Sequence, residues 1–411
     1  MPRTDVLVIG SGPAGLAAAF AASRSKKRVV ILEKMDSPGM KLLASGGSRC
    51  NVTNVLETED FARRFGKAWR FLLPALCDFS GESLLCFFEQ NGVPLELTDG
   101  FHYFPRSGKA RDVLELFLSR ISSAGGKLFC GKKVVSVTPG HPCTVKCADG
   151  EEFSAKSLVL ACGGRGYPAL GGSMAGYTLA ENLGHSVTPL YPAMTGIICS
   201  DPAVGECAGI SLDDCIAEVV TKGREKPAAR GELLFTHNGF SAFAILDLAG
   251  AIAAMLDKTP VVKLKLDLLP KLSSAELSEY FAACRKNCGT KHVSSCLSEF
   301  FPRRLAQMLV NGIDPEISRW KKADCDALLT GIKQGIWEIS GVEKWEKAMV
   351  TAGGVSLKEV DSATLASSFH DNIFFAGEML DVTGPCGGFN ITWALASGML
   401  AGTSAGNSSA G

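Results

Sequence analysis

The sequence predicts an α/β protein in which a doubly wound, Rossmann-like dinucleotide-binding domain is interrupted by a long insertion. Three observations carry this reading. Near the N-terminus an apolar strand, Asp5-Val6-Leu7-Val8-Ile9, runs into Gly10-Ser11-Gly12-Pro13-Ala14-Gly15 and then into an Ala-rich helical pattern from Leu16 to Ala22. A second apolar strand, Val29 to Leu32, ends on an acid, Glu33. Near the C-terminus, Ile373-Phe374-Phe375-Ala376-Gly377-Glu378 precedes Gly387-Gly388-Phe389-Asn390 and another Ala-rich helix. A G-x-G-x-x-G run is informative only in this strand–turn–helix context, and here the context is complete.

Each residue type in the first segment has a physical task. Gly10 permits the tight turn out of the strand, Gly12 lets the backbone approach a pyrophosphate, and Gly15 lets helix and sheet pack closely. The helix N-terminus, starting at Pro13 and Ala14, offers N–H groups and a positive dipole end to the phosphates. Glu33 stands at the spacing expected of the acid that accepts hydrogen bonds from the ribose hydroxyls, and it disfavours a 2′-phosphate. Lys34 and Lys41 follow it as further candidate contacts. A strand, an acid and a glycine pair so late in the chain predict one dinucleotide gripped by both ends. That pattern points to non-covalent FAD rather than NAD.

The 411 residues suggest two or three domains, and the 46% apolar content is ample for their cores. Lys plus Arg equals Asp plus Glu, 42 each, which argues against a dedicated nucleic-acid binder. No targeting or membrane segment stands out. Val6 to Ala22 is broken by glycines and proline, and Ala242 to Leu256 is short and interrupted by Asp247. The expectation is a soluble cytoplasmic protein acting on a small molecule, with its oligomeric state open. The 15 cysteines are scattered without a C-x-x-C pair, and no nearby histidine completes a zinc set at Cys143/Cys147 or Cys284/Cys288. They read as reduced thiols, and no metal is expected.

Along the chain, residues 1–190 alternate strands and helices. A glycine-rich polar loop covers Ser45 to Asn54, residues 57–92 are mainly helical, and Asp112 to Ser122 has apolar residues at helical spacing. Lys132 to Val137 reads as a strand, Thr144 to Phe153 as a hairpin through Asp149-Gly150, and Ser157 to Gly164 as a buried strand ending in glycines. Residues 191–340 change character. Short strands (Gly196–Cys199, Cys215–Thr221, Glu232–Phe235, Val261–Leu268) occupy a β part, about 191–270. Helices (Ala275–Cys284, Val293–Phe300, Arg303–Asn311, Asp324–Ile332) occupy a helical part, about 271–340. Strand and glycine patterning returns near Val350, so 1–190 and 341–411 are expected to form the dinucleotide domain, with 191–340 inserted to cap it and substrate lying at the junction. The tail from Ser404 reads as disordered.

Several stretches resemble the BaiN/YhiN-like, aminoacetone-oxidase-like group of bacterial FAD-dependent oxidoreductases: SGGSRCNVTN (45–54), FHYFPRSGKARDVLELFL (101–118), LACGGRGYP (160–168), LFTHNGFSAF (234–243), VTAGGVSLKEVDSATL (350–365) and FFAGEMLDVTGPCGGFNITWALASG (374–398). The resemblance covers nearly the whole chain. It implies a glutathione-reductase-type FAD domain with an inserted β domain and a helical cap. It also implies oxidation or reduction of small organic molecules, with unsaturated 3-oxo bile acids among the substrates. Three departures fall at Ser241-Ala242-Phe243, where members usually read Ser-Gly-Pro; at Met174-Ala175-Gly176, where a Gly-Asp-Gly carboxylate is lost; and at Cys386, which replaces a threonine.

The remaining candidate contacts follow from position. Glu378 ends a buried strand where an acid meets the ribityl chain, and Gly387, Gly388, Phe389 and Asn390 open a helix that aims N–H groups at the flavin pyrimidine edge. Gly377 precedes that acid. Arg49, Cys50 and Asn51 lie in the loop expected to cover the cofactor, Val134 is a backbone contact for adenine, and Ala161 and Gly163 end the buried strand. Cys50 and Cys386 read either as redox thiols near the flavin or as small apolar fillers. His237, Tyr103, Tyr167 and Tyr177 are candidate proton donors, and no catalytic residue is assigned. A second fingerprint is missing, so NAD(P)H is expected only as a transient donor. The sequence thus predicts an FAD-dependent oxidoreductase moving hydride between flavin and a small apolar substrate, with reduction of an unsaturated ketone as the leading reaction. An amine oxidase, an RNA-modification factor and a non-catalytic flavin binder are the alternatives.

Overall fold

A computed structural model describes residues 3–221, 226–310 and 314–408. The end of the expected helix Arg303–Asn311 lies outside these residues, as do the last three residues of the tail. The chain divides into two compact units, Met1–Tyr191 with Val350–Gly411, and Pro192–Met349.

The first unit is a Rossmann-type α/β domain. Strand Arg3–Ile9 lies in parallel between Val29–Leu32 and Glu152–Leu160; Lys127–Phe129 extends the sheet on one side and Ile373–Phe375 pairs with Glu152–Leu160 on the other. The two ends of the chain therefore share one sheet. The central strands are apolar runs buried on both faces, as parallel strands covered by helices must be. An antiparallel meander, Val134–Thr138 and Cys143–Cys147, turns through Asp149-Gly150 back into the sheet.

Helix Pro13–Arg24 packs lengthwise on the C-terminal helix Phe389–Asn407 through very small residues. A Cβ on Gly398 would stand 2.2 Å from the Ala14 carbonyl oxygen, and one on Gly402 2.1 Å from that of Ala18. This close seam corrects the expected disordered tail: residues 404–407 continue the helix because Gly402 and Gly406 let it lie on the fingerprint helix. Residues Gly66–Gln90 are long and apolar enough to cross a membrane by length and composition alone. They form one short turn and two helices, Trp69–Asp78 and Gly81–Gln90, with Leu72, Leu76, Leu84 and Phe88 in the core.

The second unit holds a closed six-stranded barrel ordered Ile197–Cys199, Gly239–Ser241, Ala228–Thr236, Ser211–Val219, Val262–Asp267 and Gly335–Val342. Leu233, Phe235, Phe240, Leu264, Leu266 and Ile339 are buried within this unit, and its longer helices are Phe243–Leu256, Ser274–Asn287 and Lys322–Gln334. The helical part does not run to 340. Residues Gly335–Val342 are the strand that closes the barrel, so the first unit resumes at Val350 rather than 341.

Candidate cofactor site

The first strand leaves the sheet at Gly10, whose φ is +102°, and a Cβ there would stand 2.4 Å from the Ala161 oxygen. A Cβ on Gly15 would stand 1.9 Å from the Gly10 oxygen. These two glycines are demanded by the protein itself. Gly12 differs: its backbone is extended and a Cβ would meet nothing within 4 Å. Gly12 caps a helix that has Pro13 in its first turn and no side-chain cap, so the N–H groups of Ala14 and Gly15 have no partner within the helix. An open space before uncapped N–H groups is what a pyrophosphate requires.

Glu33 is buried at the end of the second strand. Its Oε2 accepts the Ser11 N–H at 2.8 Å and the Ser11 hydroxyl at 2.6 Å, and Oε1 accepts the Met35 N–H at 2.9 Å. A carboxylate has about four acceptor positions. One remains for a ribose hydroxyl, and the Ser11 hydroxyl is the contact a second would displace. The Glu33 carbonyl takes the Lys132 N–H at 2.7 Å, which lays the segment leading to buried Val134 beside this acid. The Lys34 ammonium donates to the Ser173 hydroxyl at 2.6 Å, and burial lowers its pKa.

The C-terminal acid reaches the same region. A Cβ on Gly377, φ +74°, would stand 2.7 Å from that of Ala14. The Gly377 N–H donates to Ser397 Oγ and its carbonyl accepts the Trp393 indole N–H. Glu378 Oε2 pairs with Lys41 Nζ at 2.9 Å, and Oε1 accepts the Thr351 N–H at 2.9 Å. A Cβ on Gly164 would stand 2.2 Å from Oε1, so the Gly163-Gly164 turn makes room for this carboxylate. Thr351 Oγ1 in turn accepts the Arg165 N–H at 2.8 Å. Lys41 and Glu378, far apart in sequence, thus form one ion pair.

Three distant stretches meet around the Gly387-Gly388 turn. Thr53–Asn54 pairs with His102–Pro105 as a short antiparallel ladder. The Asn51 carboxamide donates to the Thr53 carbonyl at 3.1 Å and accepts the Gly388 N–H at 3.2 Å. The Asn54 amide donates to the Gly387 carbonyl at 2.7 Å, and Thr392 Oγ1 donates to the Val52 carbonyl at 2.9 Å. Asn390 closes the turn on itself, accepting the Gly384 N–H and donating to the Gly384 carbonyl, both at 2.9 Å. The Phe389 ring stacks on Phe61 in the core, with centroids 4.6 Å apart, so its side chain is not a ligand contact. The Arg49 guanidinium lies over the Phe104 ring at 4.4 Å. Cys50 is fully buried and burial pushes its thiol up to about 12, which fits the filler reading and not a redox thiol.

The candidate proton donors fare unequally. Tyr177 is fully buried with its hydroxyl 3.4 Å from the Glu378 carbonyl; burial first and the Glu378 charge second raise its pKa. His237 is exposed in the turn between Ala228–Thr236 and Gly239–Ser241. Tyr103 is tied through its backbone to Thr53, and Tyr167 sits half-buried at φ +54°. Thr351, Ser11 and Asn54 were not singled out from sequence, and neither was His102. His102 Nδ1 lies 2.6 Å from Asp99 Oδ2, and a Cβ on Gly387 would stand 3.1 Å from its Nε2. Its only sequence signal was membership of the 101–118 stretch.

The residues present fit FAD: open space before uncapped N–H groups at Gly12, a buried carboxylate with an acceptor position to spare at Glu33, and a second carboxylate, Glu378, from the far end of the chain. Bound there, FAD supplies two-electron hydride chemistry. Comparison with known proteins agrees. The chain is 33% identical over 405 residues to the 3-dehydro-bile acid delta(4,6)-reductase of Clostridium scindens, covering 97% of this chain and 98% of that one. It is 29% identical over 405 residues to the ribosomal RNA dihydrouridine synthase of Escherichia coli, covering 97% and 96%. The fold is similar to that of a flavocytochrome c3 fumarate reductase, with a TM-score of 0.52 and 18% identity over 98% of this chain and 78% of that one. Residues 4–404 match the HI0933-like protein Rossmann domain. The chain belongs to the HI0933-like Rossmann family and is an FAD-dependent oxidoreductase.

Proposed function

We propose that this protein reduces a carbon–carbon double bond conjugated with a carbonyl in a small apolar ketone, with FAD held by Gly10–Gly15, Glu33, Lys41, Glu378 and the Gly387-Gly388 turn. The observation that carries this reading is full-length similarity to a bile-acid reductase at 33% identity. The relatives' two named activities share a chemistry: a dienone and a uracil ring both present a C=C conjugated with C=O, and both reductions add two hydrogens across it. The protein's part is to bind and orient the ketone and to polarise its carbonyl, and each well-placed donor lowers the barrier by roughly 3 kcal/mol. Equal numbers of acidic and basic residues favour the small ketone over RNA, since phosphate binding needs an excess of cationic contacts. NADH or NADPH is the proposed reductant, visiting transiently because the chain has one dinucleotide fingerprint.

Product analysis tests the reading. Incubated anaerobically with NADH or NADPH, the protein is expected to convert an α,β-unsaturated 3-ketosteroid to a product heavier by two hydrogens, as read by mass spectrometry. The second reading rests on the dihydrouridine synthase relatives. Dihydrouridine appearing in digests of ribosomal RNA, with the ketosteroid unchanged, would replace the first reading by the second.

A further inference from the structure

We propose that His102, locked in one orientation by Asp99, is the residue that delivers the proton in this reduction; the inference rests on the reading above. Asp99 Oδ1 accepts the N–H groups of Phe101 and His102 at 3.0 and 2.8 Å, and Oδ2 meets His102 Nδ1 at 2.6 Å. The imidazole beside it holds the Asp99 carboxyl down at about 2, so this carboxylate is an acceptor only. Nδ1 therefore carries a hydrogen, and the free nitrogen is Nε2. Nε2 has no hydrogen-bond partner among the described residues. It faces the one place where Gly387 lacks a side chain, against the turn whose carbonyl and N–H are pinned by Asn54 and Asn51.

The arrangement is one-sided. The Phe101 and Phe104 rings stand edge-on to the imidazole, with centroids 4.9 and 6.4 Å away. Asp99 is the ion partner, and the Arg49 guanidinium lies over the Phe104 ring. The ring itself is 23% exposed and Asp99 53%, so a spent imidazole regains its proton from water. In the neutral ring Nε2 only accepts; in the cation it donates. The balance is simple. Hydride from reduced flavin adds to the β-carbon of the enone, its electron pair forming the new C–H bond while the C=C electrons move to the α-carbon and oxygen. His102 Nε2–H then supplies the proton to that enolate, leaving a saturated ketone, oxidised flavin and neutral His102. Asp99 is a positioning residue: it touches only His102.

The test uses the FAD-loaded protein, photoreduced under argon and mixed with an α,β-unsaturated 3-ketosteroid in D2O, beside H102Q and D99N. H102Q is expected to keep wild-type FAD content while flavin reoxidation falls about 100-fold. It is also expected to lose the rate decline on the basic side of the pH profile and the facial preference for deuterium at the α-carbon. D99N keeps the imidazole but removes the carboxylate that orients it, so reoxidation is expected to slow and the facial preference for deuterium to weaken at wild-type FAD content, with rescue in D99E. Loss of FAD from H102Q would make His102 a structural residue and overturn the proposal. Wild-type rate, pH profile and deuterium face in H102Q would overturn it while the ketone-reductase reading stands. If the wild-type reduced protein ignores the ketone, that reading falls and the proton-donor role with it.

Discussion

Gly12 and Gly15 belong to one motif but have opposite energetics. A side chain on Gly15 collides with the Gly10 carbonyl at 1.9 Å, whereas one on Gly12 enters empty space. Gly12→Val is therefore expected to fold with near-wild-type thermal stability and bind no FAD, because the valine branches occupy the pyrophosphate's place. Gly15→Ala is expected to lose stability by about 1–3 kcal/mol. Urea unfolding of the FAD-free variants, beside FAD titration by flavin fluorescence, separates the two. Ala242 shows a different cost. It stands at φ +71°, ψ −177°, at the start of helix Phe243–Leu256. That region is essentially glycine's own, and an L-residue there stores about 1–3 kcal/mol. The departure read from sequence at Ser241-Ala242-Phe243 is thus a strained backbone. Ala242→Gly is expected to raise the denaturant midpoint, and an unchanged or lower midpoint would contradict the assigned strain.

At the scale of elements, the seam between Pro13–Arg24 and Phe389–Asn407 holds the fingerprint helix against the C-terminal helix. Gly402→Leu drives a branched side chain onto the Ala18 carbonyl at 2.1 Å, so overpacking is expected to cost at least about 1–3 kcal/mol and to weaken FAD binding with it. A variant that loses neither would mean the helices slide apart freely. The turn Ser367–His370 is held in a second way. Ser367 Oγ accepts the N–H groups of Phe369 and His370 at 3.0 and 3.1 Å and meets His185 Nε2 at 2.8 Å. With both lone pairs taken, the hydroxyl must donate, so His185 is neutral with Nε2 as acceptor. Burial is the first cause that lowers its pKa. Below about 6.5 the unfolded chain takes up a proton that the folded protein refuses. Stability is therefore lost as pH falls through the unfolded value toward the lowered folded one, and this group contributes nothing further above it. Urea midpoints between pH 8 and 5 should drop less steeply in His185→Asn than in wild type; parallel curves would exclude His185 as the cause.

Over the whole molecule, what the sequence disclosed depended on distance along the chain. The fingerprint at Gly10–Gly15 with Glu33 was legible because strand, turn, helix and acid are local and each residue type has one use there. The helix start at Gly387-Gly388 was legible, but glycine neighbours mark a turn without saying which way the next ring points, and the Phe389 ring points at Phe61. The strand Gly335–Val342 was missed because it continues from Lys322–Gln334 without a break and its partner, Val262–Asp267, lies far upstream. Asp99 and His102 were unreadable as a pair with Gly387, since only the ladder between Thr53–Asn54 and His102–Pro105 brings them to that turn. Ser404 to Asn407 reads as tail by propensity, and packing of Gly402 and Gly406 on the fingerprint helix overrides it.

The most direct measurement of the central claim is anaerobic stopped-flow reoxidation of the protein-bound reduced FAD, followed by its absorbance. An α,β-unsaturated 3-ketosteroid is expected to restore the oxidised flavin spectrum in one turnover, faster than dioxygen and faster than any disulfide. Reoxidation by dioxygen at ten times the ketone's rate or more, in a protein whose flavin is reduced by an amine, would contradict it and make this chain an oxidase.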